Sequence, residues 1–195
     1  MIWIYLKQYD ELLVRMKEKR DKEHQLGTEL LLQGLEEQYK IKNPIETPLS
    51  IAKGEYGKPY LTDYPYIHYN ISHTDGLVVC AIGDEPLGID VEKIRTYPHE
   101  IVRKILSEQE KAALNQCLEK ERDRFFFQLW TLKESYVKAK GCGITVPLAG
   151  ISFELSHGSV VCNKPGVWFN QRVLDGKYIL SLCSFKQTEI TYVGS

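Results

Sequence analysis

Hydrophobic and polar positions repeat along this chain with two different periods. Ile2-Trp3-Ile4-Tyr5-Leu6 is a short apolar run closed by Lys7, which predicts a first strand. From residue 10 to 40 the period lengthens to that of a helix, with Leu26, Leu30, Leu31 and Leu35 on one stripe. Pro44 and Pro48 break that helix and open a loop. Strands are predicted at 67–71 and 77–83, after which Asp84-Glu85-Pro86 turns the chain into a strictly alternating segment. There Leu87, Ile89 and Val91 point one way, and Gly88, Asp90 and Glu92 the other. Ser107-Glu108-Gln109-Glu110 has the form of a capping box, so a helix begins there. A longer helix is predicted from Arg122 to Lys140. Leu129, Leu132, Tyr136 and Ala139 form its apolar stripe, and Gly141 suits its C-cap. The stretch from Ile151 to Ile190 reads as strand-rich.

One internal echo runs through this pattern. Asp75-Gly76 precedes one apolar strand and Asp175-Gly176 another, each after a stretch bearing an asparagine, Asn70 or Asn170. Asp-Gly before a strand is common, so the echo alone is thin support for duplication.

Composition narrows the class. A chain of 195 residues buries a sizeable core, as one domain or as two small lobes. The 25 basic and 26 acidic residues leave a net charge of −1, which argues against a nucleic-acid partner held by counterion release. No stretch approaches a membrane span, and the first apolar run lacks the basic flank and length of a signal peptide. Cys80, Cys117, Cys142, Cys162 and Cys183 are odd in number, scattered and without Cys-x-x-Cys spacing. They read as thiols in a reducing cytosol, so a cytoplasmic location is expected. Cys80 and Cys183 lie in apolar strands and read as small core residues, whereas Cys142, between two glycines, reads as exposed.

Four blocks carry candidate chemistry. In the long helix Trp130, Glu134 and Lys138 step along one face at i, i+4 and i+8, beside the apolar stripe. A lone Glu-Lys pair at that spacing is ordinarily a surface ion pair. Asp90 and Glu92 emerge side by side from one strand face, where like charges repel and call for a cation. Gly88 is expected to leave room above the strand for a ligand. Taken alone, the pair fits a solvated edge strand equally well. Together with Glu134 it makes an all-oxygen set suited to Mg²⁺. Ser72, His73 and Thr74 bunch donors at a turn, as phosphate oxygens require, though such residues are also ordinary in turns. Tyr56-Gly57-Lys58-Pro59-Tyr60 adds a cation and a fixed turn between aromatics.

In this order, Gly57-Lys58-Pro59, Asn70-Ile71-Ser72-His73, Gly88-Ile89-Asp90-Val91-Glu92 and the Trp130-to-Lys138 segment resemble the Sfp-type 4′-phosphopantetheinyl transferases. The acidic block and the helix block are specific as a pair; Gly-Lys-Pro alone is not. The resemblance implies an α+β, pseudo-duplicated two-lobe fold, each lobe a small antiparallel sheet packed on a long helix. We expect an N-terminal lobe at 1–85 and a C-terminal lobe carrying the metal site at 86–195. The implied reaction is Mg²⁺-dependent transfer of the phosphopantetheine arm of coenzyme A to a serine of an acyl or peptidyl carrier protein, releasing adenosine 3′,5′-bisphosphate. Asp90, Glu92 and Glu134 would hold the metal. Glu134 would also serve as base, and Lys138 would neutralise developing charge. Lys58, Pro59, Ser72, His73, Lys133 and Lys138 would bind the cofactor, with Lys133 alternatively a core-edge lysine. A monomer is implied, in contrast to the smaller trimeric holo-carrier synthases.

The basic run Arg15, Lys17, Lys19, Arg20 and Lys22 reads either as a solvated helix face or as a coenzyme A phosphate contact. Lys93, Arg95, Arg103, Lys104 and Lys111, with Ile101, Ile105 and Leu106 interleaved, are the expected carrier-docking segment. Two readings from other classes stand beside the transferase. A Mg²⁺-dependent nucleotide pyrophosphohydrolase would turn over a pyrophosphate without a protein acceptor. A non-catalytic module that binds a carrier protein or coenzyme A would show no turnover.

Overall fold

The computed structural model describes residues 1–10, 16–42, 49–156 and 159–194. Pro44, Pro48 and Arg15 lie outside them, as does the side chain of Lys17. The elements run β1 (Ile2–Gln8), α1 (Met16–Tyr39), β2 (Ile51–Lys53), β3 (Pro59–Leu61), β4 (His68–Thr74), β5 (Leu77–Gly83) and β6 (Leu87–Lys93). Then follow α2 (Val102–Ile105), α3 (Glu108–Gln116), α4 (Glu119–Lys140), β7 (Phe153–Ser156), β8 (Ser159–Cys162), β9 (Trp168–Leu174), β10 (Tyr178–Ser184) and β11 (Ile190–Val193).

Two sheets repeat one topology. The first has the order β11-β1-β5-β4 and the second β6-β10-β9. Three strands in each sheet are antiparallel and are met in the same order along the chain: β1, β4, β5 and then β6, β9, β10. Each set is interrupted by a long helix and then a short hairpin, α1 with β2–β3 and α4 with β7–β8. The two Asp-Gly echoes close the hairpins β4–β5 and β9–β10, so the duplication is present in the fold. One detail departs from expectation: β11, from the end of the chain, returns to the first sheet and pairs parallel with β1.

Alternation along the strands builds three cores. Tyr5, Val78, Cys80 and Ile82 face α1, where they meet Leu26, Leu30, Leu31 and Leu35. Ile2, Ile4, Leu77, Val79 and Ala81 face the other way and pack on Leu87, Ile89, Val91, Leu180 and Leu182, so the sheets meet face to face. The stripe Leu129, Leu132, Tyr136 and Ala139 of α4 packs over Ile179 and Cys183 of the second sheet. Burying a side chain of this size is worth roughly 1.5–3 kcal/mol, so the inner layer is a major tie between the sheets.

The local signals act as expected at the helix ends. Ser107 and Glu110 form the reciprocal capping box of α3. Gly141 ends α4 in the left-handed region at φ 66°, the conformation that favours glycine. All five cysteines are free thiols; Cys80 and Cys183 are buried, while Cys142 is only half-exposed. Among the described residues no helix is long and apolar enough to cross a membrane.

Candidate active site

The site is built where the edge of one sheet meets the edge of the other. Strand β4 carries Asn70, Ser72 and Thr74 on the face turned toward β6. Their side chains stand in for a strand partner. Asn70 Oδ1 accepts from the Ile89 N–H at 2.8 Å, Ser72 Oγ from Val91 N–H at 3.3 Å, and Thr74 Oγ1 from Lys93 N–H at 3.1 Å. This polar ladder satisfies backbone donors that would otherwise be buried without partners. The turn-like donor cluster read from sequence is therefore largely a seam between sheets.

Opposite this seam, α4 lies unusually close to β6. A Cβ on Gly88 would sit 2.2 Å from both the Ser135 carbonyl oxygen and the Ala139 nitrogen. The room above the strand that was expected for a ligand is taken by the helix backbone. That contact brings the 134–138 face of α4 onto the acidic strand. Lys138 Nζ donates to Asp90 Oδ1 at 2.6 Å and to Ser72 Oγ at 3.0 Å. Ser72 gives its own O–H to the same Asp90 oxygen at 2.9 Å.

Asp90 is 5% exposed, and its second oxygen, Oδ2, is buried with no hydrogen-bond partner among the described residues. A carboxylate oxygen in that state is costly unless something binds it. Glu92 leans the other way, accepting from Arg95 at 2.8 Å and from Thr74 at 3.3 Å. Glu134 has its carboxyl pushed up, chiefly by burial and then by the charge of Asp90, against the opposing pull of Lys138, with a further push from Glu92. Asp90, Glu92 and Glu134 thus share one field. They are not drawn into a tight cage, and among the described residues no three His, Cys, Asp or Glu side chains cluster closely enough to hold one metal ion.

Lys58 reaches the same region from the β2–β3 hairpin. Its ammonium donates to the carbonyls of Leu87 at 2.8 Å and Ala139 at 3.0 Å, tying the start of β6 to the end of α4. Burial lowers it from the usual lysine value to about 8. A cavity of about 240 Å³ is lined by Lys58, Pro59, Asn70, Glu134 and Lys138. A neighbouring one of about 430 Å³ shares Lys58, Pro59 and Gly141 and is walled by Tyr60, His68 and Tyr69. A larger hollow of about 610 Å³ lies elsewhere, between α4 and β7–β9, and holds none of the expected site residues.

Two expectations change, and a third site residue sits apart from the others. Lys133 does not reach the cleft as a cofactor ligand. It is fully buried, pairs with Glu110 at 2.7 Å and donates to the carbonyls of Leu148 and Ile151. One residue along a helix turns a side chain by about 100°, which carries Lys133 away from the face of Glu134 and Lys138. Ser72 has spent its single O–H on Asp90, so it holds the carboxylate in place and has no donor left for a phosphate. His73, next along β4, points to the opposite side, with Nδ1 3.1 Å from Glu23 of α1 and its side chain 50% exposed. In the expected docking segment Arg103 and Lys104 are exposed, whereas Ile105 and Leu106 face the core.

Sequence reasoning missed the seam and Glu23, and read Glu110 as a capping residue without its pairing to Lys133. The signal for the seam was present as Asn70, Ser72 and Thr74 at strand spacing, a polar row on a strand that has no solvent to face.

Known proteins resemble this chain along most of its length. A family model described as the 4′-phosphopantetheinyl transferase superfamily matches residues 86–183. The 4′-phosphopantetheinyl transferase gsp of Aneurinibacillus migulanus is 34% identical over 185 residues, covering 91% of this chain and 75% of that protein. The 4′-phosphopantetheinyl transferase Sfp of Bacillus subtilis is 34% identical over 136 residues, covering 70% of this chain and 59% of its own length. Another Bacillus subtilis 4′-phosphopantetheinyl transferase is 36% identical, covering 70% and 63%. The chain thus spans less than two thirds of the length of these two Bacillus subtilis relatives. Among solved structures, a holo-(acyl-carrier-protein) synthase from Bacillus anthracis in complex with CoA (3′,5′-ADP) is 19% identical. It covers 50% of this chain and 92% of its own, at a TM-score of 0.45.

Proposed function

This chain belongs to the 4′-phosphopantetheinyl transferase superfamily, and from that premise we propose that it moves the phosphopantetheine arm of coenzyme A onto a serine of an acyl or peptidyl carrier protein. The serine oxygen attacks the β-phosphate, a new phosphoester bond forms, and the pyrophosphate bond breaks. Adenosine 3′,5′-bisphosphate leaves with the electron pair of that bond. Glu134, whose carboxyl is pushed up by burial, takes the serine proton. Lys138, 2.6 Å from Asp90, is placed to offset charge gathering on the phosphate oxygens. Lys58 and Pro59 border the adenine side of the cavity, and His73 offers its exposed edge to a phosphate.

In its chemistry, rather than in its present spacing, the donor set suits a hard divalent cation. Asp90 Oδ2 is a buried acceptor with no hydrogen-bond partner among the described residues, and Glu92 and Glu134 supply only oxygens beside it. When bound there, Mg²⁺ would be held by Asp90, Glu92 and Glu134 and would neutralise pyrophosphate charge. The observation that carries this reading is the partnerless Asp90 oxygen facing a helix that bears both Glu134 and Lys138. We further propose a cytoplasmic monomer with lobes at 1–85 and 86–195, and docking of an acidic carrier near the exposed Arg103 and Lys104.

The test is incubation with coenzyme A, Mg²⁺ and a panel of apo-carriers, read by intact mass. A carrier gaining the arm supports the proposal. Release of adenosine 3′,5′-bisphosphate without any modified carrier would point to a pyrophosphohydrolase, and neither product would point to a binding module.

A further inference from the structure

Glu23 is a buried carboxylate that the reaction above does not use. It sits on α1 with its side chain 7% exposed, against His73, which with Ile71 lies on the face of the Asn70–His73 block that turns away from the seam. Its two oxygens are separately engaged. Oε1 accepts the Tyr9 O–H at 2.6 Å, and Oε2 faces His73 Nδ1 at 3.1 Å. One helical turn earlier Lys19 lies 4.0 Å from Oε1 and pairs with Asp75, at the turn that ends β4. The His73 ring is therefore gripped from behind while its side chain remains 50% exposed.

A carboxylate only accepts hydrogen bonds, so the nitrogen it faces carries the hydrogen. With Nδ1 paired to Glu23, the ring has one nitrogen left, Nε2, on its outer edge. A second group that fixes tautomer and ring orientation is the usual way a histidine is prepared for a ligand. Tyr9 holds Glu23 in turn, so the chain Tyr9–Glu23–His73 links the end of β1, the helix and β4.

We propose that Glu23 is a positioning residue: it holds His73 so that the ring, as an imidazolium with a hydrogen on each nitrogen, presents Nε2–H to a phosphate oxygen of coenzyme A. This rests on the reading that His73 meets coenzyme A. Glu23 itself touches no substrate, and its effect passes through the ring. A purely structural Glu23, pinning α1 to β4, would instead act on stability and on every ligand alike.

The experiment combines Glu23→Gln, Glu23→Ala, His73→Ala and the Glu23→Ala/His73→Ala double variant. Binding of coenzyme A and of adenosine 3′,5′-bisphosphate is measured by calorimetry, and the His73 ring nitrogens by NMR in the ligand-free protein. We expect His73→Ala and Glu23→Ala each to weaken coenzyme A binding about tenfold, the scale of one charge-assisted hydrogen bond. The double variant should be no weaker than either single one. The maximal transfer rate at saturating coenzyme A should stay within about twofold. Glu23→Gln keeps one acceptor oxygen and should recover part of the affinity.

Additive losses in the double variant would overturn the proposal, because Glu23 would then act without His73. So would unchanged His73 nitrogen signals in Glu23→Gln, a result that needs no coenzyme A and remains readable if Glu23→Ala does not fold. A His73→Ala protein that binds coenzyme A normally, with the NMR change still present, would show a failure of a different kind. The ring would be positioned by Glu23, but the reading that it meets coenzyme A would fall.

Discussion

The two halves of this molecule share one topology, yet their matched strand faces carry different residues and opposite charge. Strand pairing matches them position by position. On the α4 side of the second sheet, Ile179, Ser181 and Cys183 lie opposite Glu92, Asp90 and Gly88. On the α1 side of the first, Val78, Cys80 and Ile82 lie opposite Lys7, Tyr5 and Trp3. So Trp3, Tyr5 and Lys7 occupy the places that Gly88, Asp90 and Glu92 hold in the other lobe. The charge pattern is inverted. In the first lobe the strand supplies a cation, Lys7, and the helix the carboxylate, Glu29, at 2.8 Å. In the second the strand supplies Asp90 and the helix Lys138.

The seams differ in the same way. Asn70 and Ser72 of β4 bind the backbone of β6, whereas Asn170 and Arg172 of β9 meet a side chain. Asn170 accepts from the Tyr192 hydroxyl at 2.8 Å, and the Arg172 guanidinium stands 3.9 Å over that ring. Tyr192 belongs to β11, the strand added beside β1; both seams border a cavity, but Asn70 shares its cavity with Lys58, Glu134 and Lys138, whereas the two that Asn170 lines hold none of the expected site residues. A duplicated fold thus places two seams, and residue choice at a few matched positions sets their chemistry apart.

The largest expected effect tests the close approach itself. In Gly88→Ala the new methyl would overlap backbone atoms of Ser135 and Ala139, which cannot rotate aside. We expect a loss of at least ~3 kcal/mol, the upper part of the range for overpacking, together with loss of transfer. The matched experiment in the other lobe is Gly34→Ala on α1. Its Cβ would meet the Tyr5 ring at 3.0 Å and Ile82 at 3.1 Å, both side chains that can yield. The intrinsic preference of a helix for alanine works in favour of that change, so it should fall within ~1 kcal/mol of the parent. Urea unfolding of both variants decides; equal losses would end the argument that α4 alone needs backbone contact.

Next comes the matched pair Asp90 and Tyr5. Asp90→Ala removes the partnerless oxygen and the anchor of Lys138, and transfer should fall at least ~10²-fold. Lys138 is 27% exposed and can turn to water, so stability should change little. Tyr5→Phe removes a hydroxyl bonded to Glu37 at 2.9 Å and Gln38 at 2.8 Å. It should cost ~1 kcal/mol of stability and leave transfer intact. Transfer near the parent rate in Asp90→Ala would sink the site assignment.

Much of this division was legible in the sequence. Strand alternation placed Asp90 and Glu92 together, helical spacing placed Glu134 with Lys138, and the Asp-Gly echoes marked the two hairpins. What failed did so for one physical reason. Periodicity says which residues share a face, but not what the face meets. Gly88 looked like room for a ligand and is contact with a helix. Ser72 looked like a phosphate donor and is the partner of a strand edge and a carboxylate. Lys133 looked like a cleft cation, and only Glu110, in a distant capping box, explains its burial. Such long-range pairings leave no local trace in a single sequence.

A smaller effect concerns Lys58, on the hairpin that reaches the first seam. Burial lowers its ammonium from 10.5 to about 8. Between those values the unfolded chain binds the proton and the folded one does not. Stability should therefore rise with pH from about 8 toward 10.5, and the cost of burying the charge is fully present below about 8. Coenzyme A should bind more weakly as pH rises through the same lower value, because a cation at the adenine side of the cavity is lost beside a polyanionic ligand. Lys58→Met should flatten both trends. Unfolding and coenzyme A titrations between neutral and alkaline pH check this, and a variant with the parent's slopes would remove Lys58 from the cavity's electrostatics.

The smallest expected effect is the inverted ion pair. Lys7 and Glu29 are 47% and 42% exposed, so water screens most of their attraction despite the 2.8 Å contact. Pairs of this kind contribute ~0–1 kcal/mol. Asp90 and Lys138, at 7% and 27%, sit where the field is far less screened. Lys7→Met should change stability by no more than ~0.5 kcal/mol and leave both coenzyme A binding and transfer at parent values at low and high salt. A clear loss of transfer in Lys7→Met would mean that the first lobe's strand face takes part in the reaction. The two halves would then differ in degree, and the single-site account of this fold would have to be given up.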